Sequence, residues 1–250
     1  MTKYIYAFEE GSQSMKDLLG GKGANLAEMM RLGLPVPDGF TITTEACIEY
    51  LKQGATLSDE LKEELHTQLK AFSERTGKSF SSDDNLLLVS VRSGAKISMP
   101  GMMDTILNLG LNDENVEKLA EKTNDARFAY DCYRRLLQMF GQVVYGINMT
   151  AFDRFFDKYK EDNGYETDAE IPAEGLKVIS ARFKEIYEEE VYKPFPQDPF
   201  TQLTEAVEAV FKSWDNDRAR VYRDLNDIPH DIGTGVNIQE MVFGNSGDRS

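Results

Sequence analysis

Cysteine is nearly absent from this chain. Two residues in 250, Cys47 and Cys132, cannot build a disulfide framework. Histidine is equally scarce, and His66 and His230 stand alone, without a second histidine or a cysteine at ligand spacing, which argues against a zinc site. Positive charge is short: 28 Lys and Arg against 43 Asp and Glu leave a net charge of −15. The broad basic face that binding to nucleic acid or to an anionic membrane requires is therefore not expected. Long apolar runs are missing too. The longest notable one, Leu86-Leu87-Leu88-Val89, falls far below the roughly 20 residues that cross a bilayer. The opening segment Met1 to Glu10 lacks the apolar region of a secretion signal, so the cytoplasm is the expected compartment. No internal repeat or low-complexity segment is evident.

What is present suffices for a folded protein. Hydrophobic residues make up 41% of the chain, enough at this length to close a substantial core, and disorder would need far fewer. One domain with an insertion, or two domains, is the prior. The acidic excess means that any phosphate ligand needs a local positive pocket, and exposed charges beyond about 8 Å are screened well enough for such a pocket to persist.

The first stretch alternates short helices and strands. Ala24 to Leu32 reads as a helix stopped by Gly33 and Pro35, Gly39 to Thr43 as a strand, and Thr44 to about Gln53 as a helix. A further helix starts near Ser58, with Leu61, Leu65, Leu69 and Phe72 on one stripe and His66 on its charged side. Leu86 to Arg92 reads as a buried strand, followed by a glycine-containing loop through Gly101. From Asn112 to about Tyr192 the pattern is helical. Phe128, Cys132, Leu136, Phe140 and Val144 recur every four residues, Thr150 with Asp153 suggests a capped helix start, and another helix runs from about Ala173 to Glu190. Pro194, Pro196 and Pro199 mark a boundary before the helix that carries Leu203, Val207, Val210, Phe211 and Trp214. The last strand expected is Val236 to Phe243, ending at Gly244-Asn245.

Three segments offer chemistry. Gly20-Gly21-Lys22-Gly23-Ala24-Asn25 precedes a helix: glycines permit close backbone approach, a helix start presents free amides, and a lysine adds charge suited to phosphate. It is not a Walker A loop, because the glycine spacing and the Ser or Thr after the lysine are absent, and an ordinary glycine turn beside a solvated lysine reads the same way. Arg92, at the end of a strand and followed by Ser93-Gly94-Ala95, sits where open sheets bind ligands, and its guanidinium can fork onto phosphate oxygens; a structural pair with a carboxylate is the competing reading. Gly101, Met102 and Met103 form an apolar turn able to move over a site or merely pack on a neighbour. Gln239, Glu240, Met241 and Val242 can place a base against a strand edge, as an ordinary core strand also would. Cys47 and Cys132 fall on apolar faces and read as packing residues. The cluster Glu185, Glu188, Glu189 and Glu190 reads as a solvated helix end.

Taken in order, Gly20 to Met29, Val89 to Asp113 and Ser213 to Asn245 resemble the amino-terminal nucleotide-binding domain of the pyruvate phosphate dikinases. Phosphoenolpyruvate synthases and rifampicin phosphotransferases share the Gly-Lys-Gly, Val-Arg-Ser and Gln-x-Met-Val elements, whereas Ser98-Met99-Pro100-Gly101-Met102-Met103-Asp104-Thr105 is the dikinase version. The resemblance implies an ATP-grasp fold of α+β class: a mixed α/β core subdomain, residues 1–111 completed by 200–244, with a helical insertion at 112–199. Residues 245–250 would begin a second lobe that this truncated chain lacks. It further implies that Lys22 and Arg92 hold ATP phosphates with Thr105 near them, and that Gln239 to Val242 flank the adenine. Mg2+ would accompany ATP, with its carboxylate ligands beyond residue 250. Phosphate and pyruvate would be the other substrates, a phosphohistidine domain of the same polypeptide the phosphoryl carrier, and the complete enzyme a homo-oligomer. Neither His66 nor His230 matches the carrier histidine, so the catalytic residues are expected elsewhere. A reading of another class keeps 112–199 as an acidic helical interaction module without nucleotide chemistry.

Overall fold

The computed structural model describes residues 2–81, 85–99, 101 and 105–244. Among these, five strands form one sheet in the order β1-β2-β5-β3-β4, where β1 is Ile5–Ala7, β2 Gly39–Ile42, β3 Val89–Ala95, β4 Thr105–Leu109 and β5 Thr234–Glu240. Every neighbouring pair is antiparallel. The register sets the two faces, because side chains alternate along a strand. Val91 lies opposite Ile238 and Ile106, Ile238 opposite Phe40, and Val236 opposite Ile42. That face is wholly apolar at its centre and fully buried. The other face carries Arg92 opposite Asn237, Asn237 opposite Thr41, and Thr105 opposite Arg92.

Helices cover both sides. The apolar face shares one core with α2 (Thr44–Lys52), α3 (Asp59–Thr76), α5 (Ala126–Tyr145) and α8 (Pro199–Ser213), and that core continues without a break into α4 (Asn115–Thr123), α6 (Met149–Asn163) and α7 (Ala173–Val191). The helical segment 112–199 thus packs its stripes onto the sheet's own core. α5 buries Cys132, Leu136 and Phe140, as the four-residue repeat requires. The polar face is covered by α1 (Lys16–Arg31), whose Leu19, Ala24 and Ala27 form a separate small cluster with Tyr6 of β1. α9 (Asp217–Leu225) follows Trp214.

Several boundaries differ from those expected, each for a physical reason. α1 begins at Lys16 and is bent at Gly20 (φ 72°, ψ 172°), so the Gly-Lys-Gly segment lies inside the helix and opens its second part. β3 extends through Gly94 and Ala95, which stay paired with Gly235 and Thr234; Arg92 is therefore mid-strand, and the reasoning from strand ends of parallel sheets does not apply to it. β5 stops at Glu240, because β3 begins at Val89 and β2 at Gly39 and neither supplies a partner strand for Val242 or Phe243. Asn148, not Thr150, caps α6, its side-chain oxygen accepting from Thr150 N–H. The edge strand β1 is closed by a carboxylate: Glu64 of α3 accepts from Tyr4 N–H at 2.9 Å and Ile5 N–H at 2.8 Å. Ser58 caps α3 as its position in the sequence suggests.

The proline-rich boundary is tied down by one buried side chain. Gln202 of α8 is fully buried, accepts from Gly110 N–H at 3.0 Å, and donates to the carbonyls of Leu111 (3.0 Å) and Pro196 (2.8 Å). Gln202→Leu keeps the volume but leaves these buried groups unpaired, and should lower unfolding free energy by about 3 kcal/mol in urea titrations. Burial pushes the thiols of Cys47 and Cys132 up to about 12 each, with desolvation the leading cause. Neither thiol should react with a disulfide reagent at pH 8 faster than the protein unfolds, as followed by absorbance in native and denatured samples.

Candidate functional site

Glycine brings the two cation-bearing segments together. A Cβ on Gly20 would lie 1.8 Å from the Gly94 carbonyl oxygen, so α1 rests on β3 backbone to backbone at that point. The bend at Gly20 lies in a region of φ, ψ space that only glycine occupies without strain. It also makes Gly21, Lys22 and Gly23 the first turn of a helical segment, where amide hydrogens and the positive end of the dipole favour an anion. On the strand side, Gly94 lies close enough that a Cβ there would be 3.3 Å from Lys22 Cβ.

Between these segments is a cavity of about 520 Å³. Lys16, Gly21, Lys22 and Asn25 of α1 line one wall, and residues 93–96, 98, 99 and 101 the other. Three lysines, at 16, 22 and 96, face it, and among the described residues no carboxylate belongs to the lining. Lys96 pairs with Asp17, an exposed contact of modest strength. Lys22 Nζ donates to the Ser93 carbonyl at 3.1 Å. Burial holds the Lys22 ammonium below the ordinary lysine range, and the positive charge of Arg92 lowers it further. Arg92 is half-buried on the polar sheet face, and its guanidinium makes no hydrogen bond or ion pair with a described residue. Two like charges held near each other beside a partly desolvated cavity leave room for a multivalent anion to relieve their repulsion.

The residues singled out from the sequence take distinct places. Lys22 lines the cavity; Arg92 lies one residue before its wall, and Thr105 is exposed in register with Arg92. Gly101 reaches the cavity with φ +72°, a conformation open to glycine, and its carbonyl accepts from Arg218 Nη2 of α9 at 3.2 Å. Met102 and Met103 lie outside the described residues. Gln239 to Val242 contribute nothing to the cavity lining. Gln239 is buried and donates to the Pro37 carbonyl at 3.0 Å. Glu240 N–H bonds to Asp38 O (2.9 Å) and Met241 N–H to Leu88 O (2.8 Å), so these two amides are engaged by the protein. Val242, which is 64% exposed, donates from its N–H to no described residue. Glu240 is itself anchored by Lys78 at 2.9 Å, and Asp38 by Arg75 at 3.0 Å.

Sequence reasoning did not reach Lys16, and gave Asn25 and Lys96, which lie inside the two candidate segments, no role of their own. Lys16 falls one turn and a half before Lys22 and Lys96 follows Arg92 by four residues, but nothing in either spacing shows that a bent helix and a strand converge. It also read His230 as solitary. In the fold His230 Nδ1 accepts from buried Arg223 at 2.8 Å, Nε2 pairs with Asp224 at 2.8 Å, and its carbonyl accepts from Trp214 Nε1, so it serves packing around α9. His66 is exposed and stacks on Phe200. Among the described residues no group of three or more His, Cys, Asp or Glu is placed to hold a metal ion, and no helix is long and apolar enough to cross a membrane.

Known proteins place this geometry in a family. A family model described as pyruvate phosphate dikinase, AMP/ATP-binding domain, matches residues 16–60 and 53–247, which takes in both glycine segments and the whole helical region. The pyruvate, phosphate dikinase of Clostridium symbiosum is 53% identical over 251 residues, covering 100% of this chain and 29% of that protein. That of Giardia intestinalis is 51% identical over 256 residues, with the same shares, and the chloroplastic one of Mesembryanthemum crystallinum is 52% identical over 252 residues, covering 99% of this chain and 26% of that protein. The chain thus spans between a quarter and a third of the length of these relatives. With the two-segment cationic cavity and matches of this extent, the chain belongs to the pyruvate phosphate dikinase AMP/ATP-binding domain family.

Proposed function

We propose that the cavity between α1 and β3 receives the phosphates of ATP, and that the chain is the nucleotide-binding part of a pyruvate, phosphate dikinase. The observation that carries this reading is the pairing of two unneutralised cations: Lys22, desolvated and depressed by its neighbour, and Arg92, without a partner among the described residues. In this role Lys22 supplies a compact charge and Arg92 a planar fork, which together offset charge on the phosphate oxygens as a phosphoryl group moves. Thr105 stands in register with Arg92 as a neutral hydroxyl beside the same oxygens. The base would lie toward Met241 and Val242, where the uncommitted Val242 amide is the available donor, rather than Glu240 or Met241 N–H.

The complete reaction proposed is ATP, phosphate and pyruvate to AMP, diphosphate and phosphoenolpyruvate, through a phosphohistidine on another domain of the same polypeptide. Magnesium is expected with ATP, but a hard cation needs oxygen ligands and, among the described residues, the cavity lining holds no carboxylate, so these residues do not by themselves form its site. The ATP-grasp class, the division into a core of 1–111 with 200–244 and a helical insertion at 112–199, a homo-oligomeric complete enzyme and a cytoplasmic location belong to the same proposal. The interaction-module reading is not favoured, because the family match runs through 112–199 without treating it as a separate unit.

Binding tests the reading directly. Lys22→Ala and Arg92→Ala should each weaken ATP binding by about 30-fold, the loss expected of a charge-assisted contact, with circular dichroism unchanged. Unaltered affinity in both variants by calorimetry would remove the phosphates from this cavity. A second expectation concerns protons. Lys22 titrates below an ordinary lysine, so part of it is neutral at alkaline pH. Phosphate oxygens favour the ammonium, so ATP binding there should take up protons, seen as a dependence of binding enthalpy on buffer ionisation enthalpy that Lys22→Met abolishes.

A further inference from the structure

The centre strand holds a polar side chain that neither glycine segment explains. Asn237 of β5 lies in register between Arg92 and Thr41, on the face that α1 covers, and is 1% exposed. Thr41 Oγ1 donates to Asn237 Oδ1 at 2.8 Å, which fixes the plane of the carboxamide. Nδ2 is buried and has no hydrogen-bond partner. A buried amide donor left unpaired is unfavourable, and an apolar side chain of similar shape would avoid it.

The position of the carboxamide accounts for its presence. A Cβ on Gly23 would meet Asn237 Oδ1 at 2.8 Å, and a Cβ on Gly94 would meet Asn237 Nδ2 at 2.7 Å. One side chain therefore occupies the space that both glycines vacate, directly beneath the turn carrying Lys22 and beside the strand carrying Arg92. We propose that Asn237 is a positioning residue of the phosphate cavity: held by Thr41, its carboxamide is the spacer that sets the Lys22 turn against β3 and so fixes Lys22 beside Arg92. It touches no ligand, because Nδ2 and Oδ1 are covered by α1 and β3. This inference rests on the phosphate reading above for its functional consequence, but its structural content is independent of it.

Lys22 itself is the reporter. The charged groups around it are Arg92 on the sheet face, Lys16 on the same wall of the cavity, and Lys96, paired with Asp17, on the other. If Asn237 maintains the spacing, its removal lets the turn drift, and the ammonium regains solvent and distance from Arg92. The test uses the 250-residue chain, with the Lys22 Cε resonance followed against pH in the absence of nucleotide and ATP affinity measured separately. Asn237→Ala should bring Lys22 closer to an ordinary lysine titration and weaken ATP binding roughly ten-fold. Gly94→Ala, whose methyl needs the space of Nδ2 and also meets Lys22 Cβ at 3.3 Å, should disturb Lys22 more when made alone than in the Asn237→Ala background, a coupling that general destabilisation would not produce. Should alanine at 237 fail to fold, Asn237→Thr, suited to a strand and lacking the carboxamide, is read by the same criterion. A Lys22 titration identical to wild type in the folded variant overturns the proposal. If the wild-type chain binds no ATP, the phosphate reading falls, while the Lys22 titration still decides whether Asn237 sets its place.

Discussion

The backbone-to-backbone approach of Gly20 of α1 on Gly94 of β3 is the constraint on which the rest of the site depends. No side chain fits there: the added Cβ would sit 1.8 Å from a carbonyl oxygen. The bend that allows the approach needs φ 72° and ψ 172°, which any residue but glycine would adopt only under strain. Because helix and strand touch through their main chains, Lys22 lies close enough to hydrogen-bond the Ser93 carbonyl, and Arg92 acts on it from the adjoining residue. A helix packed on a sheet through ordinary side chains stands off by their thickness. Here that spacing collapses, and Lys22 lines a partly dry cavity with Arg92 one residue before its wall.

The charge balance of the whole chain makes this local arrangement more telling. At −15, the protein repels an anion at long range, yet the described residues of the cavity lining include three lysines and no carboxylate. Screening over about 8 Å in physiological salt separates the two scales. Approach of a triphosphate gains little from the overall field, so affinity has to come from contacts made after entry. Desolvation strengthens those contacts, since Coulomb energies rise as the surroundings dry out. An anion entering between Lys22 and Arg92, as proposed, would offset the cost of burying Lys22 near that guanidinium.

Much of the helical architecture could be read from spacing alone, because the stripe on α5 and the Ser58 cap of α3 are local signals that the core merely uses. The strands were less legible. β1 is three residues long and β4 pairs only where β3 offers partners, so their existence depends on register, which one sequence does not display. The strand expected at Val236 to Phe243 ends at Glu240, where β2 and β3 start. At the site, Lys22 stands between two glycines and Arg92 precedes Ser93-Gly94, which is a signal the sequence displays. Asn237 carries no such signal. It is buried because the glycine-bearing face of α1 lies on it, a fact that belongs to three separated segments at once.

The two ends of the site are stiffened by different physics. At the α1–β3 cavity, stiffness comes from packing, with Gly23 tight against Asn237 and Thr41 and Gly94 tight against Asn237. At the end of β5 it comes from charge. Glu240 binds Lys78 and also accepts from Asp38 N–H, while Asp38 is held by Arg75 of α3. These contacts, with the amides of Glu240 and Met241 committed to Asp38 and Leu88, lock the strand end so that the first uncommitted donor is Val242. A base read at that edge would therefore meet a main chain already fixed in place, and binding would not have to order it. On the proposed reading, pre-ordering at both ends, by steric exclusion at one and ion pairing at the other, would let a small acidic domain hold a highly charged nucleotide with few contacts.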